Sequence, residues 1–161
     1  MRSKWLLAGI GLLAAVLAIG AVACGDDDEG EDPAATEAPD NGSSAVNVTL
    51  LEYQIVPDQD TVAAGSVTFN ASNIGGAVHE LVVVKTDVAP DALPTGENGA
   101  VDESGEGITV VDRIEELAAQ SDGSITVELE AGSYVLICNI VDDDGLSHYQ
   151  EGMQVAFTIS E

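Results

Sequence analysis

From residue 46 onward the hydrophobic positions recur with a period of two. In "SVTFNAS" the apolar set is Val67, Phe69 and Ala71, and in "SITVELE" it is Ile125, Val127 and Leu129. This alternation is that of strands with one face on a core. Residues 46–56, 66–73, 79–85, 124–130, 132–140 and 153–160 are rich in β-branched and aromatic side chains and are punctuated by Gly, Pro, Asn or Asp, so each is predicted as a strand. Residues 86–107 lose the periodicity and become rich in Pro, Gly and acid, which predicts a long surface excursion. In "VVDRIEELAAQ" (110–120), Ile114, Leu117 and Ala118 have helical spacing behind a strand-like "ITVV", so a strand followed by a short helical turn is expected. Short strands at this spacing, without long helices or an internal repeat, define an all-β domain over 46–161, a two-sheet antiparallel β-sandwich.

The first 45 residues follow other rules. Arg2 and Lys4 precede an uncharged apolar run over 5–23, "WLLAGIGLLAAVLAIGAVA", which stops at Cys24. The pattern is that of an export signal, long enough to serve instead as an uncleaved membrane anchor. "AVAC" resembles the bacterial lipobox, with Ala21 where Leu is usual, and makes Cys24 the candidate lipidation site. Two acyl chains there would hold the protein stably at a membrane, where one is marginal. Residues 1–24 are thus read as a lipoprotein-type signal or anchor, with the rest of the chain outside the cytoplasm. Residues 25–45, "GDDDEGEDPAATEAPDNGSSA", contain no large apolar side chain. A segment with nothing to bury cannot offset its ordering entropy, so it is expected to be a disordered acidic linker.

The formal charge of −25 on 161 residues excludes a nucleic-acid partner, whose phosphates require Lys and Arg. The domain holds one cysteine, Cys138, and so no internal disulfide, although an exported protein could form one. That thiol belongs to a wider pattern. Apart from Met1 and Cys24, the chain has one Met, one Cys and two His: Met153, Cys138, His148 and His79. Three of the four lie within the sixteen residues "CNIVDDDGLSHYQEGM" (138–153). Two imidazoles, a thiolate and a weak axial thioether are the donor set of a mononuclear blue-copper site. Cys138 falls near the end of one predicted strand, Met153 at the start of the next and His79 at the start of a third, so one end of a sandwich can gather them.

These segments resemble the cupredoxins, the type 1 copper proteins. "NIGGAVHELVVV" is similar to the family's first-histidine strand, and "EAGSYVLICNI…SHYQEGMQVAFTI" to its Gly-x-Tyr strand, ligand loop and last strand. The resemblance covers residues 46–161. It implies an eight-stranded Greek-key sandwich holding one type 1 copper, with His79 and His148 as imidazole ligands, Cys138 as thiolate and Met153 as axial ligand. It also implies one-electron transfer between redox partners, with electrons passing through the more exposed His148. A lipid-anchored domain on an acidic tether is similar to the halocyanin type. Two departures stand out: nine residues, "NIVDDDGLS", separate Cys138 from His148 in place of a short Cys-x-x-Pro-Gly-His turn, and Glu80 follows the first histidine where plastocyanin-like members have Asn.

Other readings are weaker. Asp142, Asp144, Gly145 and Glu151 match positions 3, 5, 6 and 12 of an EF-hand loop, but Ile140 stands at position 1 and no helices are predicted around it. The aspartates instead suggest an acidic lip beside His148 that favours a redox partner with a basic docking surface. Copper enzymes need further histidines, and the chain has none beyond these two; a Gly-x-Ser-x-Gly elbow is also absent, so no catalytic residues are assigned. A copper-binding module for delivery, storage or sensing remains the alternative, against which the single Met of the domain argues.

Overall fold

The computed structural model describes residues 43–161; the predicted signal or anchor (1–24), Cys24 and all but the last residues of the linker (25–45) lie outside the described residues. Nine strands form two sheets: β1 (Ser44–Leu51), β2 (Gln54–Pro57), β3 (Thr61–Ala63), β4 (Gly65–Asn73), β5 (His79–Lys85), β6 (Thr109–Leu117), β7 (Ser121–Leu129), β8 (Gly132–Ile137) and β9 (Gln154–Ser160). The orders are β2-β1-β4-β7 and β3-β9-β8-β5-β6. No helix of the described residues is long and apolar enough to cross a membrane.

The domain is all-β and two-layered as predicted, but its sheets are mixed, not purely antiparallel. β1 pairs in parallel with β4, and β3 with β9. The cause lies in residues 54–63. β2 returns antiparallel to β1. The chain then passes through Pro57, which cannot donate to a ladder, and continues into the other sheet as β3. Asp58 secures the crossing: its backbone N–H donates to the Asn47 carbonyl at 2.9 Å, and its carboxylate accepts from the Asn47 backbone and side chain at 2.9 and 2.8 Å. One further reversal brings β4 back beside β1 in the same direction. The predicted strand 46–56 is therefore β1 and β2, and the short β3 makes nine strands instead of the implied eight.

The expected helical turn near 114–118 is strand. β6 runs to Leu117 against β5, and one residue of β5 opposes two of β6 between the pairs His79–Leu117 and Leu81–Ile114. Glu116 takes a positive φ of 40° at this bulge. The extra residue puts Ile114 and Leu117, three apart, on one face, which is the spacing that imitates a helix. Across the sandwich Gly123 makes room for both: a Cβ there would meet Ile114 Cγ2 and Leu117 Cδ2 at 2.8 Å.

The core between the sheets is apolar, with Phe69 and Phe157 edge to face at 5.4 Å between ring centroids. β5 and β8 are buried on both faces. Leu81, Val83, Tyr134 and Leu136 point into the sandwich, while Val82, Val84, Val135 and Ile137 pack outward with Leu93, Val101 and Tyr149. The predicted surface excursion is thus a cover that closes a second core over the outer face of this sheet. The unbroken apolar run "LVVV" in β5 is the sequence sign of such two-sided burial. Polar bonds pin the cover: the Leu93 N–H donates to Tyr149 Oη at 3.0 Å, Tyr149 Oη donates to the Pro90 carbonyl at 2.7 Å, and Ser147 Oγ donates to the Gly99 carbonyl at 2.8 Å.

Candidate metal centre

The four predicted donors lie at one end of the sandwich because neighbouring strands end or begin there. β8 lies between β5 and β9. His79 opens β5, Cys138 follows the last residue of β8, and Met153 precedes the first residue of β9. The backbone ties them together: Cys138 N–H donates to the Met153 carbonyl, Met153 N–H to the His148 carbonyl and His148 N–H to the Ile140 carbonyl, each at 3.0 Å. All four side chains are fully buried.

Three donor atoms converge. His79 Nδ1 and His148 Nδ1 are 3.2 Å apart, and Cys138 Sγ is 3.4 Å from His148 Nδ1. The ligand atoms of His79, Cys138 and His148 lie within 4.8 Å of one another, the one group of three His, Cys, Asp or Glu donors so placed among the described residues. Donors sharing an ion at bonds of about 2.0–2.3 Å stand roughly 3–4 Å apart, so the separations fit a single metal ion. The chemistry of the set, borderline imidazole with soft thiolate, fits copper. Met153 shares the core cluster of Cys138.

Burial shapes the electrostatics. It pushes the Cys138 thiol up to about 11, a state opposite to that of a catalytic cysteine, whose thiolate is stabilised. Desolvation, and then the neighbouring His148, lower the pKa of His79. Both effects favour the neutral thiol of Cys138 and the neutral imidazole of His79 until a cation compensates the thiolate. His79 Nε2 is the one buried side-chain nitrogen or oxygen without a hydrogen-bond partner among the described residues.

Glu80, next to His79 in β5, braces the site through both its backbone and its side chain. Its backbone N–H points at Cys138 Sγ at 3.4 Å, and its carboxylate accepts the Asn139 N–H at 2.9 Å, clamping the start of the ligand loop. Arg113 Nη1 lies 3.7 Å from that carboxylate. Burial raises the Glu80 pKa, while the Asn139 amide and Arg113 oppose the rise.

Asn73 secures the approach to His79. Its side-chain amide donates to the Ala77 and Leu117 carbonyls at 2.9 Å and its oxygen accepts the Gly75 N–H at 3.0 Å. Asn73→Ala would strand these buried groups. It is expected to destabilise the metal-free protein by about 1–3 kcal/mol in urea unfolding.

The long loop after Cys138 is a tight hairpin and not a helix-flanked calcium loop. Val141 bridges Ser147, Asp142 N–H donates to the Leu146 carbonyl at 2.9 Å, and Gly145 turns the chain with φ of 87°. The hairpin carries Asp142 onto His148, whose Nε2 lies 3.1 Å from Asp142 Oδ1, while the Tyr53 ring meets the imidazole edge to face at 5.5 Å. The expectation of a more exposed His148 is therefore corrected: these two residues cover it, and it is as buried as His79. Asp142 and Tyr53 are residues that sequence reasoning missed as parts of the site. Their positions follow from loop conformation and from the β1–β2 turn, and only the Asp run gave any signal.

A two-sheet sandwich with a buried His–Cys–His group at one end, on the ends of adjacent strands, is the cupredoxin arrangement, and the solved structures with a similar fold include cupredoxins. Auracyanin from the photosynthetic bacterium Roseiflexus castenholzii superposes with a TM-score of 0.50 at 18% identity, over 74% of this chain and 100% of that one. Auracyanin A, a "blue" copper protein from Chloroflexus aurantiacus, gives 0.50 at 17%, over 74% and 100%. The copper protein rusticyanin gives 0.52 at 12%, over 73% and 78%. No family model and no curated protein matches the sequence. The likeness is one of fold.

Proposed function

We propose that this domain is a mononuclear type 1 copper protein carrying single electrons between redox partners, and that it is not an enzyme. The convergence of His79 Nδ1, His148 Nδ1 and Cys138 Sγ in a fully buried pocket carries the reading. His79 and His148 supply the imidazoles, Cys138 the thiolate and Met153 the weak axial thioether. A bound copper supplies a one-electron couple there. The chain holds the donors on strand ends and backbone hydrogen bonds, so they move little between oxidation states, and their burial keeps out water. It also opposes the ready metal exchange that delivery would need.

The surface supports a partner with a basic docking face. An open groove of about 850 Å³ beside Asn139 is lined by Glu80, Glu115, Glu116, Asp142 and Asp143. Exposed Ile74 and Val78 lie near the same end, before His79. The apolar run before Cys24 and the acidic linker after it support attachment to the extracytoplasmic face of a membrane, through acylated Cys24 or an uncleaved anchor.

The test is to add Cu(II) to the detergent-solubilised full chain and record visible absorption and EPR spectra. An intense thiolate-to-copper band with small hyperfine splitting is expected; a colourless product overturns the reading. Met153→Leu should keep the copper and the colour but raise the potential, because the axial thioether donates electron density. A rise of at least about 59 mV, a tenfold change in the Cu(I) to Cu(II) affinity ratio for one electron, is expected in voltammetry.

A further inference from the structure

The two imidazoles turn their Nδ1 atoms to one another and to the thiol, which leaves each Nε2 to find a partner on the outer side. The two outcomes differ. His148 Nε2 is 3.1 Å from Asp142 Oδ1, within hydrogen-bonding distance. His79 Nε2 has no hydrogen bond; the nearest carboxylate oxygen, Glu52 Oε1, is 3.8 Å away. Both acidic residues are anchored, one through its backbone and the other through its carboxylate. The backbone of Asp142 is fixed by Leu146 and Gly145, and Glu52 Oε1 accepts the N–H groups of Gly76 and Ala77, approaching where Gly75 has no Cβ to meet it.

We infer that Asp142 is a positioning residue for the metal centre: its carboxylate accepts the Nε2–H of His148, keeps Nδ1 turned inward and biases the site toward the oxidised ion. This rests on the copper reading above. A carboxylate on the outer nitrogen fixes the tautomer and raises the basicity of the inner one. A more basic imidazole beside an added negative charge favours Cu(II) over Cu(I), so the potential is lowered. The nine-residue spacing between Cys138 and His148 acquires a purpose: a short ligand turn has no room for a hairpin that reaches back over its own histidine. Glu52 provides the internal contrast, a charge near His79 without the hydrogen bond.

The test compares Asp142→Asn, Asp142→Ala and Glu52→Gln in the detergent-solubilised full chain. Asp142→Asn keeps shape and removes charge. It should raise the potential by about 59 mV or more, a tenfold change in the affinity ratio for a one-electron couple. It should also weaken Zn(II) binding by about 10–100-fold. Glu52→Gln should shift both by clearly less. In the Zn(II)-loaded protein, ¹⁵N NMR should show a deshielded His148 Nε2–H that Asp142→Ala loses. An unchanged potential in Asp142→Asn, or equal shifts in Asp142→Asn and Glu52→Gln, would overturn the inference, since through-space charge alone would then account for the effect. If copper gives no thiolate band in the wild type, the copper reading fails by itself, and the Zn(II) spectra still decide whether Asp142 holds the His148 proton.

Discussion

Cys138→Ala is expected to abolish the visible band and the reversible couple together, and to weaken Cu(II) binding by more than the ~10–100-fold typical of losing a residue behind a ligand. The expectation follows from position. Sγ is the only sulfur anion the domain can offer, it is fully buried, and the Glu80 N–H is aimed at it. The remaining imidazoles, held 3.2 Å apart, should still take up some copper, with the weak absorption and wide hyperfine splitting of a site without thiolate. Stability separates this from misfolding. Removing one buried sulfur from a core of this size should cost on the order of 1 kcal/mol, so the metal-free variant should unfold close to the wild-type urea midpoint. A variant that keeps its intense band would show that Cys138 is not the thiolate donor.

Phe69→Ala should produce the largest loss of stability, about 3–5 kcal/mol in urea unfolding of the metal-free protein. Phe69 is fully buried at the middle of β4 and meets Phe157 of β9 edge to face, so its ring joins the two sheets. Total stabilities of about 5–15 kcal/mol make this a large fraction. The ring is not a donor, and its loss should leave the colour of whatever remains folded unchanged. A cost below about 1 kcal/mol would mean that the sheets close over the cavity and that the packing here is looser than the ring geometry implies.

Legibility varied with the range of the interactions responsible. Alternation in 66–73 and the β-branched run 79–85 match β4 and β5 almost residue for residue, because a strand's side chains report which faces are buried. The segment 110–120 misled for the same reason. Ile114 and Leu117 share a face through a bulge at Glu116, and periodicity alone cannot distinguish that from a helical turn. Residues 86–107 were legible as irregular but not as a cover, since Leu93 and Val101 carry no periodic pattern and gain meaning only against Val82, Val84 and Tyr149.

The four donors were named from composition because soft ligands are scarce in this chain, and scarcity needs no coordinates to be seen. The sequence by itself determined the strand class, the acidic balance and the chemistry on offer at His79, Cys138, His148 and Met153, since these depend on residue type and local spacing. The tertiary structure decided the parallel pairing of β1 with β4, the burial of His148 beneath Tyr53 and Asp142, and the separate surroundings of the two Nε2 atoms. Those depend on where the chain crosses between sheets and on how one hairpin folds back. Contacts between residues distant in sequence are set by the packing of the whole domain and leave no periodic trace along the chain.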